Sequence, residues 1–540
     1  MIKKLFNGQI TSISTAALLV ALSSLVSRLL GVFRDRILAG EFGAGDTLDI
    51  YYAAFRVPDL IFNLLILGAL SAGFIPLFTK LLGDEKELKN KHEVWSFTSN
   101  IINILGLALI ALSVLAIIFS EPIMRLFAPG FDAEKLQSTV MLSRIMFLSP
   151  LFLGLSGIFG GVLQSFKRFF VYSLAPIMYN IGIIVGALYL VPIYGIYGLA
   201  WGVVLGALMH LLIQLPSIFS LGFRYEFKLN IRNQNILTVG RMMIPRTLSL
   251  AIAQINLLVS TAIASTLAVG SLAVFNFANN LQSFPIGIFG ISFATAVFPT
   301  LSAQVNDKPK MINSFSWTLR QILFFIIPAT VLFLVLRAQI VRVILGTGLF
   351  NWEDTILTIR TLGYFSLSLF AQASIPLLVR MFYAKQNSKK PFYIGLVSVL
   401  CDIILSLWLS KYLGVAGIAL AFSIANVINF TLLWIFLRKE MGNLDEWKIL
   451  VSVAKFFVGG IFCGITSQLA KTIVWPFVDM SKLWGIFTQG AIAGLSGLAV
   501  YLIICGLFKS EELSSFWNGF KRRLPWKKIQ VGDQGEARGI

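Results

Sequence analysis

The chain has 540 residues, of which 57% are hydrophobic and only 13% are charged, and its formal net charge is +19. An ordinary soluble domain carries about 25% charged residues, so this composition excludes a soluble globular protein. We therefore expect an all-α polytopic membrane protein.

Apolar runs of the roughly 20 residues needed to cross a bilayer recur along the whole chain. They predict fourteen transmembrane helices, at residues 10–38, 48–80, 96–119, 138–166, 170–191, 197–219, 236–267, 272–303, 315–336, 357–384, 392–411, 415–437, 450–470 and 485–507.

The first predicted span contains charged residues, in the segment SLVSRLLGVFRDR (24–36). A charged side chain at the centre of a bilayer costs roughly 2.5–3.5 kcal/mol on insertion scales, so it needs a partner other than lipid. At about 100° per residue, one face of this helix collects the polar residues Ser24, Ser27, Arg28, Gly31, Arg34 and Asp35. Leucine, valine and phenylalanine occupy the remaining surface.

The second predicted span has a similar polar stripe, formed by Asp49, Tyr52, Arg56, Asp59 and Asn63. Two neighbouring helices with one charged stripe each favour a water-filled cavity inside the bundle. The alternative is that these charges pair with each other as structural contacts, or that Arg36 and Asp49 mark the membrane edge.

Lysine and arginine are concentrated in loops on one side of the membrane, for example at Lys167, Arg168, Lys385, Lys389 and Lys390. The positive-inside rule then predicts that both termini are cytoplasmic. The tail contains the basic segment KRRLPWKKIQ (521–530), which suits anionic lipid beside a membrane better than the alternative partner, nucleic acid.

Residues for catalysis are scarce. His92 and His210 are the two histidines, and no glycine-rich phosphate loop is present. Cys401, Cys463 and Cys505 lie in predicted spans without metal-site spacing, which predicts packing roles. We expect a transporter, not an enzyme, with no cofactor.

Two parts of the chain are weakly similar to each other. GFIPLF (73–78) resembles AVFPTL (296–301) with Pro76 and Pro299 aligned, and FKRFF (166–170) resembles SKKPF (388–392) at nearly the same offset. This predicts two pseudo-symmetric six-helix lobes, at 1–220 and 221–440, around a central cationic cavity. Two extra helices (441–510) and the basic tail (511–540) would follow.

Two longer segments resemble a known family. SRLLGVFRDRILAGEFGAGDTLDIYYAAFRVPDLI (27–61) and LQSFPIGIFGISFATAVFPTLS (281–302) are similar to signatures of the MurJ/MviN lipid II flippases, which belong to the multidrug/oligosaccharidyl-lipid/polysaccharide exporter superfamily. The resemblance implies a protein of the bacterial cytoplasmic membrane that serves peptidoglycan biosynthesis and cell shape. It would flip lipid II, the undecaprenyl-pyrophosphate-linked precursor, to the outer leaflet by alternating access, with other cell-wall synthesis proteins as further partners.

The resemblance also implies a substrate-binding set. It places the family's cavity residues at Arg28, Arg34, Asp35, Asp49 and Arg56. Arginine suits a pyrophosphate because its planar fork can hold two phosphate oxygens.

The chain departs from the family pattern at three positions, since Phe62, Leu67 and Asn280 stand where charged residues are frequent. These departures leave three alternatives open: a flippase for another polyprenyl-linked glycan, a drug/cation antiporter, and a non-transporting membrane scaffold.

Asp402, in the eleventh span, has no basic residue within one helical turn, although Ser398 and Ser406 flank it. An isolated aspartate there is protonated, paired with another helix or bound to a cation. The resemblance implies a sodium site shared by the seventh, eleventh and twelfth helices, with Ser260 at the position of an acidic ligand and Gln254 and Asn256 nearby. Sodium or proton coupling, the membrane potential or removal of the product could then drive transport.

Overall fold

The computed structural model of the chain describes residues 13–67, 73–83 and 91–523, and within these ranges it contains helices and no strand. The predicted all-α class is thereby confirmed. Three parts of the predicted elements lie outside the described ranges. These are the first residues of the first predicted span, residues 68–72 of the second span and residues 524–540 of the basic tail.

We call residues 13–220 the N-terminal half and residues 234–441 the C-terminal half. The α-helices of the N-terminal half are α1 Ile13–Phe42, α2 Asp46–Phe62, α3 Ile75–Leu82, α4 Lys91–Ile118, α5 Ser120–Phe127, α6 Ala133–Met146, α7 Ser149–Ser165, α8 Phe169–Val185, α9 Val191–Tyr194, α10 Tyr197–Leu212 and α11 Leu215–Ser220. Those of the C-terminal half are α12 Gln234–Ser265, α13 Ser271–Pro285, α14 Ser292–Ala303, α15 Lys308–Val335, α16 Arg337–Ile344, α17 Trp352–Ser366, α18 Leu369–Ala384, α19 Lys389–Leu413 and α20 Val415–Met441. They are followed by α21 Glu446–Val474, α22 Leu483–Leu507 and α23 Glu511–Arg523. Wider π-helical turns occupy Asn63–Leu67, Gly186–Leu190 and Ile286–Ile291, and a 3₁₀ turn occupies Trp475–Phe477.

Within the described residues, ten helical segments are long and apolar enough to cross a membrane, or eleven if the bent pair α17 and α18 forms one span. These segments coincide with the third to sixth and eighth to fourteenth predicted spans. The first, second and seventh predicted spans are also helical where they are described, but they are not among the ten. The first two carry the charged stripes.

Three large apolar clusters hold the helices together. One joins the helices of the N-terminal half around Phe74, Trp95 and Phe166, and it extends to the start of α12. A second joins the C-terminal half to α21 and α22. The third contains residues of both halves, such as Leu48 and Phe277, and lies at the end of the bundle where α1 meets α2. We call this end, which the charge distribution predicts to face outward, the outer end.

Helix α8 and the π-helical turn that follows it are in backbone contact with α10, because glycines face each other at the crossing. A Cβ atom on Gly182 would lie 2.2 Å from the Cα of Gly206, and one on Gly186 would lie 2.3 Å from the Cα of Gly202. Glycines four residues apart share one helix face, and small residues allow membrane helices to approach closely.

We expect Gly202→Val to lower the thermal stability of the purified protein, because the added side chain must push the two backbones apart. Overpacking of this kind costs typically 1–3 kcal/mol. Gly106→Val in α4 is the matched control, since a Cβ there meets no atom within 4 Å. Equal losses of melting temperature in the two variants would contradict the backbone contact.

The C-terminal helix α23 is attached to the bundle by a buried ion pair. Arg320 of α15 donates to Glu512 at 2.8 Å and to Glu511 at 3.0 Å. Glu512 is 1% exposed and also accepts hydrogen bonds from Ser452 of α21 and from Ser510. The first part of the predicted tail is therefore a helix fixed to α15 and α21.

Candidate functional site

The polar face of α1 contacts both halves of the protein through Arg34 and Asp35. The Nε and Nη2 groups of Arg34 donate to one oxygen of Asp35 at 3.1 and 2.8 Å, and its Nη1 donates to Oδ1 of Asn180 on α8 at 3.1 Å. The other oxygen of Asp35 accepts from Nδ2 of Asn280 on α13 at 2.8 Å. A continuous chain of hydrogen bonds thus links the halves.

The opposite face of α1 is exposed and apolar, with Leu29 at 52% and Phe33 at 50% exposure. This division into a polar inner face and an apolar outer face agrees with the helical periodicity of the sequence.

Arg28 lies six residues, or about 1.7 turns, before Arg34 along α1 and points towards the C-terminal half. Its guanidinium group rests against Gly287, where a Cβ atom would come within 2.4 Å of three guanidinium atoms. Gly287 belongs to the π-helical turn that follows α13. Arg28 also lines a cavity of about 570 Å³ that includes Asp402.

The polar stripe of α2 faces the C-terminal half as well. Arg56 donates from Nε to Thr261 of α12 at 3.0 Å and from Nη2 to Asn276 of α13 at 2.5 Å. Tyr52 meets Phe277 edge to face, with ring centroids 6.0 Å apart.

Asp49 fixes the start of α13. Its carboxylate accepts the backbone N–H groups of Gly270 and Ala273 at 2.8 and 3.0 Å, and Lys135 of α6 donates to it at 3.0 Å. A carboxylate at a helix N-terminus satisfies free N–H groups and is favoured by the helix dipole. Asp49 is 3% exposed, so these contacts are made in a buried position.

Further contacts join the halves at the outer end. Arg36 donates to the carbonyl oxygens of Val343 and Ile344, at the end of α16. The backbone N–H of Leu349 donates to the carbonyl of Gly40 at 2.8 Å. The outer end is therefore closed in this structure, and Arg36 and Asp49 both contribute to its closure.

Asp402 on α19 is buried and hydrogen-bonded to another helix. Nδ2 of Asn256 on α12 donates to it at 2.7 Å and Oγ of Ser406 donates at 3.3 Å. Of the three alternatives for Asp402, the structure shows the pairing with another helix. Ser260 is not among its hydrogen-bond partners, and Ser398 donates to the carbonyl of Ala425 instead.

A hard cation at Asp402 requires several oxygen ligands. Asn256 presents its amide nitrogen, so its side chain would have to turn by about 180° to offer oxygen. Ser406 can offer its oxygen lone pairs without moving its backbone. The residues fit a cation after this one rotation, although the described residues contain no cluster of three or more His, Cys, Asp or Glu side chains suited to a metal ion.

The sequence did not indicate several residues that complete the site, namely Asn180, Thr261, Asn276 and Lys135. Three of these are polar side chains within apolar spans, which is the signal that could have identified them. Asn280, where the family pattern has a charge, uses its amide to bond Asp35. Phe62 packs in the apolar cluster of the N-terminal half. The side chain of Leu67 lies outside the described part.

His210 and the three cysteines, which the sequence analysis also considered, have the contacts of structural residues. Nδ1 of His210 lies 2.6 Å from Oγ of Ser156, which also accepts from Gln214 at 2.6 Å. Cys463 and Cys505 are buried and Cys401 is half-buried. All three cysteines are free, as packing residues would be.

Comparison with known proteins gives concordant results. The family model described as "Lipid II flippase MurJ" matches residues 38–488. A "Probable lipid II flippase MurJ" from Buchnera aphidicola is 30% identical over 475 residues, which cover 87% of this chain and 91% of the relative. A "Lipid II flippase MurJ" from Burkholderia cenocepacia is 29% identical over 440 residues, which cover 79% of this chain and 84% of the relative.

Solved structures match over nearly their whole length. "Lipid II flippase MurJ, inward closed conformation" aligns with a TM-score of 0.74 and 27% identity, covering 91% of this chain and 98% of that one. An inward-facing MATE family multidrug transporter aligns with a TM-score of 0.65 and 16% identity, covering 79% and 99%, which shows a common fold.

Proposed function

The chain belongs to the lipid II flippase MurJ family, and we propose that it moves lipid II across the bacterial cytoplasmic membrane by alternating access. It is a multi-pass membrane transporter, not an enzyme. The observation that carries the mechanism is the stripe of α1, where Arg28 and Arg34 lie off the exposed apolar face of the helix and contact residues of other helices.

Lipid II joins an undecaprenyl chain to a sugar-peptide headgroup through an anionic pyrophosphate. Hydrocarbon excludes this headgroup, whereas the prenyl chain can stay in the bilayer as the headgroup crosses. Arg28 and Arg34 provide permanent charges and planar forks for phosphate oxygens. The contacts of Arg34 with Asp35 and Asn180 hold its fork in a fixed orientation.

We propose that the halves are two six-helix lobes and that α1, α2 with α3, and α12 also cross the membrane, which gives fourteen spans with both termini inside. The closed outer end then corresponds to a state that loads from the cytoplasm. Release outside requires the contacts of Asp35 with Asn280, of Arg56 with Asn276 and of Asp49 with the start of α13 to break.

We expect Asp402→Asn to remove any dependence of transport on sodium or pH while the protein stays folded. The amide cannot ionise and lacks the charge that attracts a cation, but it can still accept a hydrogen bond from Asn256. Flipping by purified protein in vesicles with imposed sodium or proton gradients measures the effect. A mutant that keeps the ion dependence of the wild type would leave Asp402 with a structural role alone.

The decisive experiment is replacement of the endogenous flippase. A bacterium depleted of its own lipid II flippase should regain growth when it expresses this chain, and purified protein should move labelled lipid II between vesicle leaflets. Failure of both assays with correctly inserted protein would reject the function.

The same vesicle assay addresses a second candidate, a flippase for another polyprenyl-linked glycan. Asn280 and Phe62 stand where charged residues are frequent in the family, and this departure is the reason to test another glycan as the substrate. Transport of a teichoic-acid precursor in preference to lipid II would establish it. A drug/cation antiporter would instead move a cationic dye, and a scaffold would move none of these compounds.

A further inference from the structure

The cavity that Arg28 lines extends into the C-terminal half, where amide side chains form part of a largely apolar wall. Five asparagine or glutamine side chains from four helices line it: Asn256, Asn279, Gln372, Asn426 and Asn429. Its charged lining residues are Arg28 and Asp402, and Asp402 is hydrogen-bonded to Asn256. Most of the polar surface is therefore neutral.

Several of these amides use one end on the protein and present the other to the cavity. Nδ2 of Asn426 donates to the carbonyl of Phe422 at 2.8 Å, which leaves its oxygen for another partner. Oδ1 of Asn279 accepts a hydrogen bond from Gln282 at 3.0 Å, which leaves the amide nitrogen of Asn279 for another partner. Asn429 makes no side-chain hydrogen bond with any other residue in the described ranges.

The five amides are half-buried, and polar residues inside a membrane protein mark binding sites and pathways. Donors and acceptors from separate helices suit a neutral ligand that carries both kinds of group. Sugar hydroxyl and acetamido groups are such a ligand. An inorganic ion or an apolar drug would use few of these amides.

We infer that this amide cavity is a subsite for the glycan of the transported lipid, with the pyrophosphate next to Arg28 at its wall. This inference rests on the proposed function and assigns a location to one part of the substrate. The volume of about 570 Å³ lies within the range of about 300–1,000 Å³ that holds small ligands. Arg28 and Arg34 are six residues apart, about 9 Å along the helix, so a pyrophosphate held by both arginines adjoins the cavity that Arg28 lines.

The test is equilibrium binding of two probes, lipid II and undecaprenyl pyrophosphate, to the purified full-length protein. Wild-type protein should bind lipid II at least tenfold more tightly than the sugar-free lipid. Asn429→Leu should reduce this preference about three- to tenfold, as expected for loss of one hydrogen bond to an uncharged partner. Asn429→Gln, which keeps the amide, should retain more of the preference than Asn429→Leu.

Asn313→Leu is the matched control, because Asn313 is exposed on α15 and lies outside the cavity. Asn426→Leu provides an independent variant if Asn429→Leu does not fold. Equal wild-type binding of the two probes would overturn the inference and leave the proposed function standing. An unchanged preference in both leucine variants would also overturn it. Binding of neither probe by folded wild-type protein would reject the inference together with the proposed function.

Discussion

Arg34→Ala is expected to reduce lipid II transport at least a hundredfold. The change removes the cation that we place on the pyrophosphate, and charge-assisted hydrogen bonds are worth about 1.5–3 kcal/mol each. Arg34→Lys should retain part of the activity if charge alone matters and little if the planar fork matters. Complementation normalised to expression, followed by vesicle transport, measures the series, with Arg28→Ala next in severity and Arg56→Ala after it.

Alanine at position 34 also leaves Asp35 without its arginine, and an unpaired buried charge costs about 3–5 kcal/mol. The double variant Arg34→Ala/Asp35→Ala removes both charges and so separates folding from transport. It should recover stability but not activity. Leu29→Ala on the exposed face serves as the control. Wild-type transport by Arg28→Ala and by Arg34→Ala, together with a defect in Leu29→Ala, would disprove the assignment of the cavity.

A disulfide across the outer end is expected to stop transport reversibly. A Cβ atom on Gly40 would lie 3.8 Å from Cβ of Thr347, within the 3.5–4.5 Å range of natural disulfides. The variant Gly40→Cys/Thr347→Cys should therefore cross-link the end of α1 to the loop after α16. Because the halves could then no longer separate there, oxidation should lower transport more than tenfold and a reductant should restore it.

The single-cysteine variants control for the three natural cysteines, which are at least half-buried. Full activity of the cross-linked protein would show that the outer end need not open. A membrane-impermeant reductant also tests the orientation, since it should restore activity from the outer side of the membrane.

The charged stripes could be predicted from the sequence because they depend on helical periodicity alone. The exposure of Leu29 and Phe33 opposite Arg34 agrees with that geometry. The partners of the stripe could not be predicted, because Asn180 and Asn280 lie more than 140 residues from Arg34 along the chain.

The partner of Asp402 illustrates the same limit at closer range. Asn256 and Ser260 lie four residues apart and share one face of α12, so periodicity does not choose between them. The structure selects Asn256 through the packing of α12 on α19. Hydropathy likewise does not reveal the bend between α17 and α18, because apolar residues lie on both sides of it.

The ion pair between Arg320 and Glu512 bears on how the protein is synthesised. Arg320 leaves the ribosome nearly 200 residues before its partner, so during membrane insertion it has to be accommodated without Glu511 and Glu512. The ion pair that joins α15 to α23 can form only when α23 has been made. A chain cut before Glu511 would retain every predicted membrane span yet keep an uncompensated buried cation, which makes it a natural substrate for quality-control proteases.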